Sequence, residues 1–253
     1  MNKPIRKISL ISAVTIFYLM CTSIQVFASE NKILIINSGS SPPLIINDQD
    51  GFYPHLIREL FARLNTKVQL KHMASVRSLK NANQGIDDGV IARVKGIDKK
   101  FTHLIRVPEK VMQLTFVAYS NDKTIKIEKW ADLKPYNVAY IRGWKVFDKH
   151  VTSYKTLVKV KNIEQLFTLL KNKRIDIVLC QVIVSKYMMN QLNFYPHEHK
   201  PYLLSRDLFI YMHNKHAGLV PRMTSMLRKL KNEGVYQQLV EKHITQVIKT
   251  GAK

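Results

Sequence analysis

Cysteine is nearly missing from this chain: 253 residues hold two, Cys21 and Cys180. Acidic residues are also scarce. Asp and Glu number 18 against 40 Lys and Arg, a formal net charge of +22. The sequence has no nucleophile elbow, no phosphate-binding loop and no paired-carboxylate signature. That leaves no catalytic role to assign and no cofactor to expect. No arginine-rich run carries interleaved aromatics, so the basic excess does not follow a nucleic-acid pattern. The scattered lysines fit a solvated coat, or a field that favours anionic ligands or surfaces. Metal-ligand spacing is poor as well. His197, Glu198 and His199 form a loop cluster, and His213 and His216 lie three apart. Neither is the closed ligand set of a structural zinc site, and all five read as surface residues.

What is present begins with the N-terminus. Lys3, Arg6 and Lys7 precede an apolar run from Ile8 to Met20, and Val26-Phe27-Ala28 follows with small residues at the cleavage positions. This is the pattern of a secretory signal peptide. The apolar run is short of the ~20 residues of a stable span. A lipoprotein signal would place a small residue directly before Cys21, where Met20 stands. Cleavage removes three positive charges and Cys21, leaving +19 and a single thiol, so no internal disulfide can form. Cys180 lies within the apolar run Ile175 to Cys180, which predicts a buried, unreactive side chain.

Two stretches look like copies of one unit. Leu79 to Arg93 and Leu169 to Gln181 each read as a helix end, a turn carrying Ile-Asp, and a short buried strand that stops at a polar residue. Ligands of open α/β sheets bind beyond the carboxyl ends of the strands, which points to Arg93 and Gln181. Around these units, Ile33 to Ile36 reads as a strand buried on both faces. A Ser-Ser-Pro-Pro loop follows at Ser40 to Pro43. Leu56, Ile57, Leu60, Phe61 and Leu64 recur at helical spacing. Val68 to His72 alternates like a strand, and Ser75 is placed to cap a helix ending near Gly85.

This order resembles the family 3 bacterial extracellular solute-binding proteins, the periplasmic receptors of polar amino-acid ABC importers. Trp130 to Lys134 is similar to that family's linker into its second lobe. Tyr136 to Trp144 is similar to its first lobe-two strand and glycine turn, and Asn232 to Tyr236 to its C-terminal element. The resemblance implies an α/β fold of the periplasmic binding protein-like type II, with two lobes joined by two crossing segments. It places lobe one at residues 29–120 and 208–253, and lobe two at 121–207, after a signal peptide at 1–28. The crossings run near Leu114 to Tyr119 and before Leu208 to Met212. Neither is glycine-rich, so hinge motion would fall on a few backbone angles. The resemblance further implies a monomeric periplasmic protein that captures a small polar, carboxylate-bearing solute for an inner-membrane ABC permease, with no nucleic-acid partner. A dehydratase-like enzyme on the same scaffold, or a soluble partner of a membrane sensor, stands as the alternative.

The departures from that family bear on the ligand. Its carboxylate-gripping Arg falls at Lys99 or Lys100 here, while Arg93 comes earlier, directly after the strand. A lysine cannot reproduce the two-pronged guanidinium contact, so Arg93 is the candidate anion anchor. Its alternative role is an ion pair with Asp87, Asp88 or Asp98. The family's acid for an α-ammonium falls at Gln181, which is neutral. Ser41 and Leu44 stand where first-loop aromatics would be. Arg142, Gly143 and Trp144 precede a helix whose N-terminus could receive an anion, and Arg77 lies near the start of another. Trp144 has core packing as its alternative. N-terminal sequencing of the exported protein should begin at Ser29; an intact chain held in the membrane would rule cleavage out.

Overall fold

The computed structural model describes residues 33–250. The leader and its cleavage after Ala28 lie outside them. No helix among the described residues is long and apolar enough to cross a membrane. The chain opens with β1 (Leu34–Ser38), α1 (Phe52–Ala62), β2 (Val68–His72), α2 (Ser75–Asn83), β3 (Gly89–Val94), β4 (Leu104–Arg106) and the long β5 (Met112–Ser120). It continues with β6 (Asn137–Ile141), α3 (Lys145–His150), β7 (Thr156–Val160), α4 (Ile163–Lys171), β8 (Ile177–Gln181), α5 (Val182–Gln191) and β9 (His197–Glu198). The second long strand, β10 (Leu204–His213), leads into α6 (Leu219–Asn232), α7 (Val235–Val240), a π-turn over Glu241–Thr245, and α8 (Gln246–Thr250).

The strands run in the order β2-β1-β3-β10-β5-β8-β6-β7. β2, β1 and β3 are parallel to one another, as are β7, β6 and β8. The two parallel groups are joined through the antiparallel pair β10 and β5. β1, the first half of β3 and β8 are buried on both faces, which is why they read as continuous apolar runs, while the edge strands β2 and β7 are partly exposed. α1 covers one face with Phe52, Tyr53, Leu56, Ile57, Leu60 and Phe61, all buried. α6 adds Val220, Met223, Leu227 and Leu230. α4 packs Leu166, Phe167 and Leu170 on the other parallel group, against Val178 and Cys180. Cys180 is free and fully buried, and burial pushes its thiol up to about 12.

The two repeated units share one hydrogen-bond arrangement. Asp88 N–H donates to the Ile35 carbonyl at 2.8 Å, and Ile35 N–H donates back to Asp88 Oδ2 at 2.9 Å. Asp176 N–H donates to the Asn137 carbonyl at 3.0 Å, and Asn137 N–H returns to Asp176 Oδ2 at 2.8 Å. Each carboxylate thus stands just before its strand and satisfies a backbone donor of the neighbouring parallel strand. Asp87 takes the amide of Asn37 at 2.8 Å and that of Asn81 at 3.0 Å. Gly89 follows because a Cβ there would lie 2.7 Å from the Tyr211 carbonyl.

Two expectations need correction. The histidines are not all surface residues. His199 is 3% exposed, bonded to Ser120 Oγ at 2.9 Å, and burial pushes its pKa down to about 4. His216 Nε2 lies 2.7 Å from Asp88 Oδ1, inside the fold's ion-pair network. Ser75 does not cap α2: Ala74 is the cap residue, Ser75 is the first helical residue, and its hydroxyl is engaged elsewhere.

Asp88 also carries a pH dependence. Burial pushes its carboxyl up, but the bonds from Lys215 at 2.8 Å, Ile35 and His216 outweigh it and hold it below the usual carboxylate range. A depressed folded pKa contributes stability above the unfolded value of ~3.9, lost as pH falls through the folded pKa. Asp88→Asn should therefore cost about 1–3 kcal/mol at pH 7. It should also lose less stability than the parent on going from pH 6 to pH 3. Denaturant titrations across that range check it; parallel curves would remove Asp88 as the source.

Candidate functional site

The ends of the parallel strands define the site. Val94, at the carboxyl end of β3, is level with Leu208 of β10, which pairs with Met112 of β5. Gln181, at the carboxyl end of β8, pairs with Phe116 of β5, which pairs with Leu204. β3 runs in the direction of β5 and β8 runs against it. The two strand ends therefore point toward each other, separated along β5 by the Met112–Phe116 stretch, roughly 13 Å at strand spacing. That span suits a small molecule. It also shows where the chain passes between the two groups of strands: at Phe116 outbound and Leu204 on return.

Arg93 is aimed by a β-bulge. The β3–β10 register shifts between Phe209 and Tyr211, and Ala92 takes a left-handed φ of 64°. Bulges bend a strand and redirect its side chains. Here the redirected guanidinium reaches the first turn of α2. Nη1 donates to Ser75 Oγ at 2.7 Å, and Nη2 donates to the Ser75 carbonyl at 3.2 Å and to Ser78 Oγ. The ion pair with Asp87, Asp88 or Asp98 is not formed: no carboxylate lies within ion-pair range of Arg93 among the described residues. Three bonds leave two of the five guanidinium N–H donors free, and Nε is buried without a partner. Burial pushes its pKa down to about 10, so the charge persists at neutral pH without a counter-ion. The β1 loop closes on the same helix start. A Cβ on Gly39 would lie 2.8 Å from Ser75 Cα and N, so only glycine allows this approach.

The other sequence candidates are dispersed. Ser41 is half-buried and its carbonyl receives Leu44 N–H at 3.1 Å, which folds the loop after β1. Arg77, Lys99 and Lys100 are exposed. Arg142 and Gly143 are exposed beyond β6, and α3 is only six residues long. Trp144 is half-buried, stacked on Phe147 at 5.8 Å and 6.5 Å from Phe116, so it packs across the crossing strand. Gln181 is the residue before α5, and its carbonyl accepts the Ser185 hydroxyl at 2.8 Å. Ser78 and the hydroxyl role of Ser75 were missed in the sequence. The available signal was Ser-Val-Arg-Ser opening a helix directly after a strand, which sets two hydroxyls on one face of its first turn.

No protein-family model matches the chain. An uncharacterized protein of Shewanella oneidensis is 23% identical over 194 residues, covering 74% of this chain and 72% of its own length. A mutant of ArgBP from T. maritima superposes with a TM-score of 0.68 at 20% identity, over 85% of this chain and 95% of its own. The ancestral amino acid-binding protein AncCDT-1, described as a precursor of cyclohexadienyl dehydratase, gives 0.68 at 16% identity, over 91% and 99%. The fold is the type II periplasmic binding-protein fold.

A left-handed alanine costs of order 1 kcal/mol that glycine would not incur. Ala92→Gly should therefore raise the denaturant midpoint by the equivalent of about 0.5–1 kcal/mol. A lower midpoint would mean that the Ala92 methyl group contributes more by packing than its backbone loses.

Proposed function

We propose that this protein is a periplasmic solute-binding protein. It captures a small carboxylate-bearing solute between the ends of β3 and β8 and passes it to an ABC-type permease. The observation that carries this reading is Arg93: a partly desolvated cation at a strand end, held by neutral oxygens, with donors to spare. A buried charge without a partner is costly, and an arriving anion supplies the missing partner. Gln181 supports an organic acid over an ordinary α-amino acid. Its amide accepts a hydrogen bond from an ammonium but gives it no counter-charge. The basic surface favours anion capture by raising the encounter rate.

AncCDT-1 favours a second reading, a dehydratase-like enzyme. Such an enzyme needs a carboxylate or other base at the cleft. Asp87, Asp88 and Asp176 are bound to groups at the opposite ends of their strands, which favours binding over catalysis.

Calorimetry against a panel of small mono- and dicarboxylates, amino acids and amines tests the proposal. Acids should bind and amines should not. Arg93→Lys keeps the charge but alters the donor geometry, and should weaken the best acid by roughly tenfold. Arg93→Ala should weaken it further with its circular dichroism spectrum retained. Unchanged affinity in a folded Arg93→Ala would move the anchor away from Arg93.

A further inference from the structure

We propose that Asp50, His55 and His243 form a binding site for a divalent transition-metal ion of the zinc class. The site would join the start of α1 to the C-terminal segment. One ligand atom from each residue can be chosen so that all three lie within 4.8 Å of one another. His55 Nε2 is 3.3 Å from Asp50 Oδ1, and His243 Nδ1 is 3.9 Å from the same oxygen. Around a tetrahedral ion with ligands at ~2.0–2.1 Å, neighbouring ligand atoms stand about 3.3 Å apart. The two rings are stacked, so their in-plane lone pairs run side by side, and one imidazole must rotate off the other for both to ligate the ion.

His243 is held by few polar contacts of its own, which leaves its ring free to turn. His243 is 8% exposed, and its Nε2 is buried with no hydrogen-bond partner. Its Nδ1 is too far from Asp50 for a hydrogen bond. An imidazole held in this way lacks the bonds that a buried polar ring normally makes. Its ring instead stacks on that of His55, centroids 3.8 Å apart with an interplanar angle of 23°. His243 projects from the π-turn Glu241–Thr245, a local widening that interrupts the C-terminal helix and often marks a functional position. Burial pushes both imidazoles below their ordinary pKa, which keeps the rings neutral and their lone pairs available. The bond from Gly51 N–H holds Asp50 ionised. Two imidazoles and one carboxylate form a ligand set used by zinc and related ions, with further positions open to water.

Two cations oppose the ion: Lys242, whose charge acts on both imidazoles, and Arg58. Arg58 Nη2 lies 3.0 Å from Nδ1 and 3.3 Å from Nε2 of His55. Its Nη1 already bonds the Gln49 carbonyl at 2.7 Å, so the side chain has an alternative anchor away from the ring. Removing Arg58 therefore frees a ligand nitrogen and deletes a repelling charge.

The purified protein, stripped with chelator, is titrated with ZnCl2 by calorimetry and followed by thermal melting. One equivalent should bind, and the melting temperature should rise because the ion binds the folded state. Asp50→Asn and His55→Gln should each weaken Zn2+ binding by about tenfold or more with unchanged circular dichroism. Arg58→Gln should tighten it. Absence of zinc binding by the parent would overturn the proposal. So would undiminished one-equivalent binding in both Asp50→Asn and His55→Gln, which would transfer the ion to another cluster such as His197, Glu198 and His199.

Discussion

A backbone N–H that finds its acceptor on a carboxylate just outside the neighbouring strand sets the register of both parallel groups. Without that acceptor, Ile35 near the start of β1 and Asn137 at the start of β6 would each keep an unsatisfied donor. Asp88 and Asp176 each accept that donor while giving their own N–H to the same residue's carbonyl. The pair is short, directional and partly buried, so a slip by one residue would lose both bonds and turn the strand's faces over. Fixing the start of β3 and β8 fixes their ends. Arg93 and Gln181 thereby come to opposite ends of the Met112–Phe116 stretch of β5. The acids and the proposed site residues thus lie at opposite ends of the same strands, the acids at the amino end and the candidates at the carboxyl end.

Arg93 departs from this regularity. The register of β3 alone would continue the strand's alternation past Ile91. The bulge at Ala92 instead turns the guanidinium onto the hydroxyls of α2. Strain of this kind persists where the surroundings over-determine it. Three neutral oxygens hold the charge without cancelling it, a geometry ready for an anion. An aspartate at position 75 or 78 would pair with Arg93 and remove that capacity.

Periodicity made most of the architecture legible. Apolar runs marked β1, β3 and β8, and helical spacing marked α1 and α6, because buried faces leave patterns in composition. The repeated Ile-Asp turns were visible, but the destination of each carboxylate was not. A residue that bonds the backbone of a strand 39 or 53 positions away leaves no local trace. Arg93 was legible as the polar residue closing an apolar strand. Its actual partners were not, since nearby acids in the sequence suggested an ion pair that the bulge prevents. The cluster of Asp50, His55 and His243 was invisible for the same reason. Two of its members are five apart, and the third is brought over by the π-turn near the C-terminus.

In the proposed function the large positive charge and the partly buried Arg93 would do different work. Exposed lysines act through a field that decays over about 8 Å at physiological ionic strength. Such a field raises the encounter rate with any anion but cannot distinguish one acid from another. Discrimination requires a group whose donors have fixed directions and whose hydration has already been lost. Arg93 meets both conditions, because its position is set by the bulge and the α2 hydroxyls, and its burial has already lowered its pKa. Salt should therefore slow ligand association while leaving the ranking of acids unchanged, since screening acts on the surface coat and little on a charge held inside the fold.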